Sequence, residues 1–318
     1  MQRRRFIKTA ALGTSTLTVF PAGLEMMTRE KKQGKLEKRT LGKTGEKLSI
    51  IGFGGIVVKD ASETEASARV REAIKYGVNY FDVAPTYGDA EIKLGPALEP
   101  FRKNVFLACK TTQRTREQAE KELEQSLARM HTDHFDLYQL HAVTKMEDVE
   151  TIFSPDGAMK ALLEAREKGK VKYLGFSAHS VEAAMELMKR FNFDTILFPV
   201  NYATWYAGNF GPQVLEMARD KGMGILALKA MAKRPWEKGV ERTVTKVWYE
   251  PFTDPEEALM GLRFTLSHPV TSAIPPGNEE LFSTGLKLGM KFKPLSSTET
   301  EEIKKKGLET EPIFRYSG

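Results

Sequence analysis

A closed (β/α)₈ barrel is the fold this sequence predicts, and three observations predict it. From residue 51 onward, short apolar segments alternate eight times with amphipathic helical patterns. At 318 residues the chain is long enough for one barrel of roughly 250 residues with extensions. The rival, an open doubly wound sheet, expects GxGxxG after its first strand. Here "GFGG" lacks the third glycine and runs into "IVVKD", which does not open a helix.

The elements follow in order. Lys35–Thr40 and Glu46–Ile51 flank "LGKTG" and read as an N-terminal β-hairpin. The "GKT" is not a phosphate loop, because the glycine required five residues before Gly42 is Glu37. Barrel strands are predicted at Ile51–Gly54, Tyr80–Val83, Val105–Lys110, Phe135–His141, Val171–Ser177, Thr195–Pro199, Gly224–Leu228 and Thr271–Ile274. Helices are predicted at 63–76, 89–98, 115–130, 155–168, 180–191, 210–221, 255–267 and 279–290. The segment 115–130 is clearest: Thr115 reads as its N-cap, and Ala119, Leu123, Leu127 and Met130 form one stripe. Two loops, 200–209 and 229–254, are longer than a barrel needs. They leave the C-terminal ends of strands six and seven, where barrel enzymes build their sites. Trp205, Trp236 and Trp248 all lie in them. They are expected to line a substrate pocket for an apolar or ring-containing compound, the alternative being that they seal the rim.

Residues 1–34 read as a leader and 35–318 as a single barrel domain. Arg3 and Arg4, one spacer, then Phe6, Ile7 and Lys8 resemble a twin-arginine export signal. The resemblance implies a folded protein exported to the periplasm, the alternative being a cytoplasmic one. The following stretch, Ala10 to Leu24, is broken by Gly13 and Pro21 and is too weak for a stable membrane span. Of the 48 Lys and Arg and 42 Asp and Glu, the leader holds seven and two, so the body carries 41 against 40. So balanced a body offers no electrostatic reason for a nucleic-acid partner.

Cys109 is the one cysteine. It excludes an intrachain disulfide, a cysteine-only metal site and multi-cysteine iron–sulfur clusters. It adjoins Lys110 but alternates to the opposite strand face, towards the helices, and reads as a packing residue. His131 and His134, in "HTDH", precede strand four and read as a surface turn. No metal is expected.

Three adjacent strands deliver ionisable residues to one rim. Asp82 ends strand two, with Tyr87 five residues later; Lys110 ends strand three; His141 ends strand four. The chemistry that fits is proton donation by a phenol. A tyrosine of pKa about 10 is a poor acid unless its developing anion is stabilised. A neighbouring lysine ammonium does this, and an aspartate keeps that lysine charged and aimed. The histidine would orient a substrate oxygen. No side chain can supply a hydride, so a nicotinamide cofactor is implied.

Over residues 36–309 the sequence resembles the aldo-keto reductase family, through "LGKTGEKLSIIGFGG", "GVNYFDVAPTYGDAE", "VFLACKT", "ELEQSLARMHTDHFDLYQLH", "KGKVKYLGFSAHS" and "TSAIPPGN". That family folds as a TIM barrel. The resemblance implies a catalytic tetrad of Asp82, Tyr87, Lys110 and His141 and hydride transfer from NADPH, with NADH not excluded. It implies cofactor contacts at Gly54, Gly55, Ser177, Asn201, Leu228, Lys229, Gly277 and Asn278. The pattern departs from the family at Ala178, Pro199, Leu228 and the short "IPPGN" loop. Where an arginine often grips the 2′-phosphate, Glu280 and Leu281 stand. The expected function is reduction of an aldehyde or ketone, or the reverse. The alternatives are a nicotinamide-binding sensor or partner subunit, and a non-redox isomerase or lyase on the same barrel.

Overall fold

The computed structural model describes residues 34–318. Except for Gly34, the leader and its export signal lie outside the described residues. The chain enters through a hairpin, β1 (Lys38–Thr40) and β2 (Lys47–Ser49), paired antiparallel. It is shorter than the sequence pattern suggests, because Ile50 and Ile51 leave it to reach the barrel. There Ala273 N donates to Ile50 O, and Gly52 N donates to Ala273 O.

Barrel strands follow as β3 (Phe53–Gly54), β4 (Tyr80–Asp82), β5 (Phe106–Thr111), β6 (Phe135–Val143), β7 (Val171–Ala178), β8 (Thr195–Pro199) and β9 (Gly224–Leu228). A small antiparallel pair, β10 (Ala232–Arg234) with β11 (Glu250–Pro251), interrupts the series before β12 (Ser272–Ile274). The eight strands are parallel neighbours in the order β3-β4-β5-β6-β7-β8-β9-β12. A parallel bridge between Ile51 and Ala273 joins the two edges. All eight predicted barrel strands are present.

The helices are α1 (Glu63–Tyr76), α2 (Ala90–Leu98), α3 (Arg116–Arg129), α4 (Met146–Ile152), α5 (Ala158–Glu167), α6 (Val181–Arg190), α7 (Tyr202–Tyr206), α8 (Pro212–Asp220), α9 (Pro255–Ser267), α10 (Glu279–Gly289) and α11 (Ser297–Glu309). Their starts are written in the chain. Ser62 with Glu65, and Ser296 with Glu299, form reciprocal capping boxes at α1 and α11. Asp254 caps α9 just ahead of Pro255. Thr115 does occupy the N-cap position of α3, but its side chain makes no capping bond; its hydroxyl donates to Gln118 Oε1 instead.

Three helices were not expected. α4 is two turns with only Val149 and Ile152 buried. α7 is a single turn rich in aromatic and β-branched residues. α11 is largely charged and buries only Ile303 and Gly307. None carries an apolar stripe long enough for periodicity to detect. None of the described helices is long and apolar enough to cross a membrane.

Strand alternation divides the apolar residues into two cores. The larger lies between strands and helices. The smaller fills the barrel and contains Tyr80, Phe106, Leu137, Leu197 and Leu226. Leu41 and Leu48 of the hairpin join that inner core, and Lys43 N donates to Gly222 O. The hairpin therefore closes the end of the barrel where the strands begin. The cleft is left to the other end, where the strands finish.

Candidate active site

Asp82, Lys110 and His141 come from three neighbouring strands, and parallel pairing brings their ends to one rim. The rim opens into a cleft of about 240 Å³ that Asp82, Tyr87, Lys110 and His141 all line. Asp82 and Lys110 are almost fully buried and form an ion pair. Lys110 Nζ also donates to Val83 O (3.2 Å) and to the Tyr87 hydroxyl (3.4 Å). The second carboxylate oxygen of Asp82 accepts from Tyr80 (3.1 Å) and from Gln139 Nε2 (3.1 Å). Tyr87 meets the His141 ring edge-on at 5.8 Å. The four residues the sequence picked out are thus one cluster.

Tyr80 and Gln139 were not picked out, although they hold the carboxylate. Tyr80 was legible: it lies two residues before Asp82 on the same strand face. Gln139 could be found only by knowing that β6 lies beside β5.

The electrostatics set a direction for the proton. Burial works against the Lys110 ammonium, but Asp82 and Tyr87 outweigh it and hold its pKa above the ordinary lysine value. Burial also raises the pKa of Tyr87, and the nearby Lys110 charge offsets this only in part. The phenol therefore stays protonated throughout the neutral range. Burial, then Lys110, then His179 and Arg114 push His141 down to about 2, so its imidazole is neutral. A neutral imidazole and a protonated phenol both offer hydrogen-bond donors to one oxygen.

Backbone irregularity aims His141. The β6–β7 register shifts between Leu140 and Val143, and Ala142 takes a left-handed φ of 50°. Such a conformation costs a residue with a Cβ about 1–2 kcal/mol. The Ala142 N–H donates to Ser177 Oγ at 2.8 Å, so this bulge ties His141 to Ser177. Nothing in the sequence of β6 signals it.

The expected cofactor positions divide. Gly54, Ser177, Leu228, Lys229 and Gly277 line the cleft. Asn201 does not: its side chain caps α7 by accepting from Thr204 N, and its amide donates to Lys229 O and Ala232 O. Asn278 is likewise a cap, accepting from Glu280 N and Leu281 N at the start of α10. Gly55 is buried away from the cleft, and a Cβ there would meet Val83 at 2.8 Å. At Gly54 and Gly277 a Cβ would strike Ile274 at 2.9 Å and Ile56 at 2.1 Å. These glycines are required by protein packing, where the sequence suggested close approach of a ligand.

The tryptophans divide too. Trp248 lines the cleft. Trp205 instead packs on the outside of the barrel against His268 and Phe264 of the α9 end, at 4.2 and 6.1 Å. Trp236 is absent from the cleft wall. Cys109 faces the helices as expected, with Glu91 as its neighbour.

The long loop 229–254 contributes more than its tryptophan. Lys246, Val247, Trp248 and Tyr249 form one wall of the cleft. Lys246 pairs with Glu279 of α10, which also binds Arg69 of α1 (3.1 Å). Lys246 and Arg69 both donate to Val57 O. The loop is thereby fastened across the mouth to Val57 and α1 from the N-terminal part of the chain and to α10 from the C-terminal part.

Known proteins share this fold. The model of the aldo/keto reductase family matches residues 50–244. The L-galactose dehydrogenase of Arabidopsis thaliana is 27% identical over 214 residues, covering 62% of this chain and 66% of that protein. The aldo-keto reductase YhdN of Bacillus subtilis is 30% identical over 217 residues, covering 62% and 63%. The match thus spans just under two thirds of either relative. Among solved structures, the holo form of aldo-keto reductase AKR11C1 from Bacillus halodurans superposes with a TM-score of 0.67 at 22% identity, covering 85% of this chain and 96% of that one. With the family model matching well over half of its residues, this chain belongs to the aldo/keto reductase family.

Proposed function

We propose that the protein is a nicotinamide-dependent oxidoreductase that reduces an aldehyde or ketone to an alcohol, or runs the reverse reaction. The observation that carries this is the buried chain from Asp82 through Lys110 to the Tyr87 hydroxyl, ending in the cleft beside His141. The cleft's groups fit a nicotinamide dinucleotide. Ser177 Oγ accepts from Ala142 N and keeps its own proton to donate, which suits a carboxamide. Leu228 offers an apolar face to a ring, and Gly277 stands ready for polar parts of the cofactor. A bound reduced nicotinamide supplies the hydride, which no side chain can.

Within the protein, the neutral His141 and the Tyr87 phenol hold the carbonyl oxygen. Tyr87 donates its proton as negative charge develops there. Lys110 stabilises the tyrosinate that remains, and Asp82, fixed by Tyr80 and Gln139, keeps the ammonium in place. General acid catalysis of this kind contributes about 10²–10⁴ in rate. Tyr87→Phe is expected to lower kcat by about that factor, with cofactor affinity nearly unchanged. Full activity in that variant would remove the proposed acid. NADPH is the expected cofactor over NADH. Titrating the protein with each while following tryptophan emission decides between them, with Trp248 as the reporter in the cleft. Export through Arg3 and Arg4 to the periplasm belongs to the same proposal; an unchanged location of the Arg3→Lys, Arg4→Lys variant would refute it.

A further inference from the structure

The cleft holds two polar groups that the proton-donating chain does not use. Lys229 follows β9 in a left-handed conformation, φ 69°. Its carbonyl accepts from Ala232 N at 2.9 Å and from Asn201 Nδ2 at 3.4 Å. Its Nζ lies 4.8 Å from the Tyr249 ring centre and 5.2 Å from that of Trp248. No hydrogen-bond or ion-pair partner for it exists among the described residues. The cleft's other lysines are both matched, Lys110 by Asp82 and Lys246 by Glu279. The second group is His179, two residues past Ser177. It lines the same cleft, and its ring stacks on Phe314 at 5.2 Å. Its Nε2 is buried without a hydrogen-bond partner.

A cation without a counter-charge, backed by two aromatic faces, and a buried ring nitrogen that donates in its Nε2–H tautomer share one complement: an anionic oxygen. We propose that Lys229 and His179 form an anion subsite, and that the substrate is a carbonyl compound bearing a carboxylate. This rests on the carbonyl-reductase reading and adds the substrate class. The anion belongs to the substrate because of where His179 stands. His179 N donates to Val143 O across the β6–β7 junction, and His141 lies two residues before Val143. Phe314, on which His179 stacks, lies 5.6 Å from the Trp248 ring that Lys229 faces, so the two groups share one corner of the cleft. The subsite therefore continues from the place where the carbonyl oxygen meets Tyr87 and His141. Burial alone pulls the Lys229 pKa down to about 8, which leaves it largely charged at neutral pH and ready for a counter-ion.

The test uses two probes of similar shape, 4-carboxybenzaldehyde and its neutral methyl ester, which differ by the charge and one methyl group, on the full chain with NADPH. The wild type is expected to prefer the acid. Lys229→Met should lower the acid-to-ester ratio of kcat/KM roughly tenfold to a hundredfold. Lys229→Arg should restore part of it, and His179→Phe should lower it less. An unchanged ratio in Lys229→Met overturns the subsite while leaving the reductase reading intact. So does a loss of NADPH affinity as large as the loss of the ratio, since the ammonium would then serve the cofactor. A wild type that reduces neither aldehyde counts against the reductase reading instead. The subsite is then judged by titrating tryptophan emission with terephthalate: a response abolished in Lys229→Met supports it, and an equal response in both proteins overturns it.

Discussion

The two sides of the cleft differ in how their charged side chains are matched. On the β4–β6 side, Lys110, both oxygens of Asp82 and the Tyr87 hydroxyl are joined in one hydrogen-bonded chain. On the β7–β9 side, His179 Nε2 is buried without a hydrogen-bond partner, and Lys229 Nζ faces only the rings of Trp248 and Tyr249 among the described residues. A satisfied buried network is rigid and carries a fixed charge pattern. An unsatisfied one is costly to the folded protein and persists where something else completes it. On the proposed reading, chemistry resides in the closed side and selectivity in the open side.

Stability measurements can break that contrast, beginning with the largest effect. Lys110→Met strands the Asp82 carboxylate and should cost about 3–5 kcal/mol in denaturant unfolding. Lys229→Met removes an unpaired ammonium and should be neutral or stabilising. Equal destabilisation by the two would mean that Lys229 has a partner after all.

The pH dependence follows with its own sign. Lys229 has a depressed folded pKa of about 8, against 10.5 unfolded, so between those values the unfolded chain binds more protons. Stability contributed at this position therefore rises with pH across that window, and Lys229→Met should flatten the rise. His141, with Lys110, His179 and Arg114 around it, stays neutral from pH 5 to 8. Turnover of an uncharged carbonyl should accordingly show no histidine limb in that range; a limb near 6.5 would refute the assignment.

Asn201→Ala removes the α7 cap and two bonds to the backbone around Lys229. It should cost about 1–2 kcal/mol and raise KM for an anionic substrate more than for a neutral one. A cofactor-binding defect alone would return Asn201 to the role its sequence position suggested. Thr115→Ala is the smallest case. Because that hydroxyl makes no capping bond, the loss should stay below about 0.5 kcal/mol.

The residues that read correctly from the chain share a cause. Strand alternation and helix periodicity are local, so eight strands and eight of the helices appear near their expected places. Asp82, Lys110 and His141 end strands, and parallel neighbours must bring such ends to one rim. The misreadings share a cause as well. Asn201 and Asn278 occupy plausible cofactor positions, yet each oxygen is spent on a helix N-terminus. Gly55 follows Gly54 directly, yet only Gly54 lines the cleft, Gly55 being set against Val83. Trp205 and Trp236 lie in rim loops by sequence, but α7 carries Trp205 outward onto α9.

Local patterning thus establishes the barrel, its leading hairpin and the gathering of Asp82, Lys110 and His141 at one rim, because those depend on which face and which end of a strand a side chain occupies. Whether a polar group is already satisfied depends on neighbours up to two hundred residues away. The bulge at Ala142, the fastening of Lys246 to Glu279 and the solitary state of Lys229 are visible only once the chain has closed on itself.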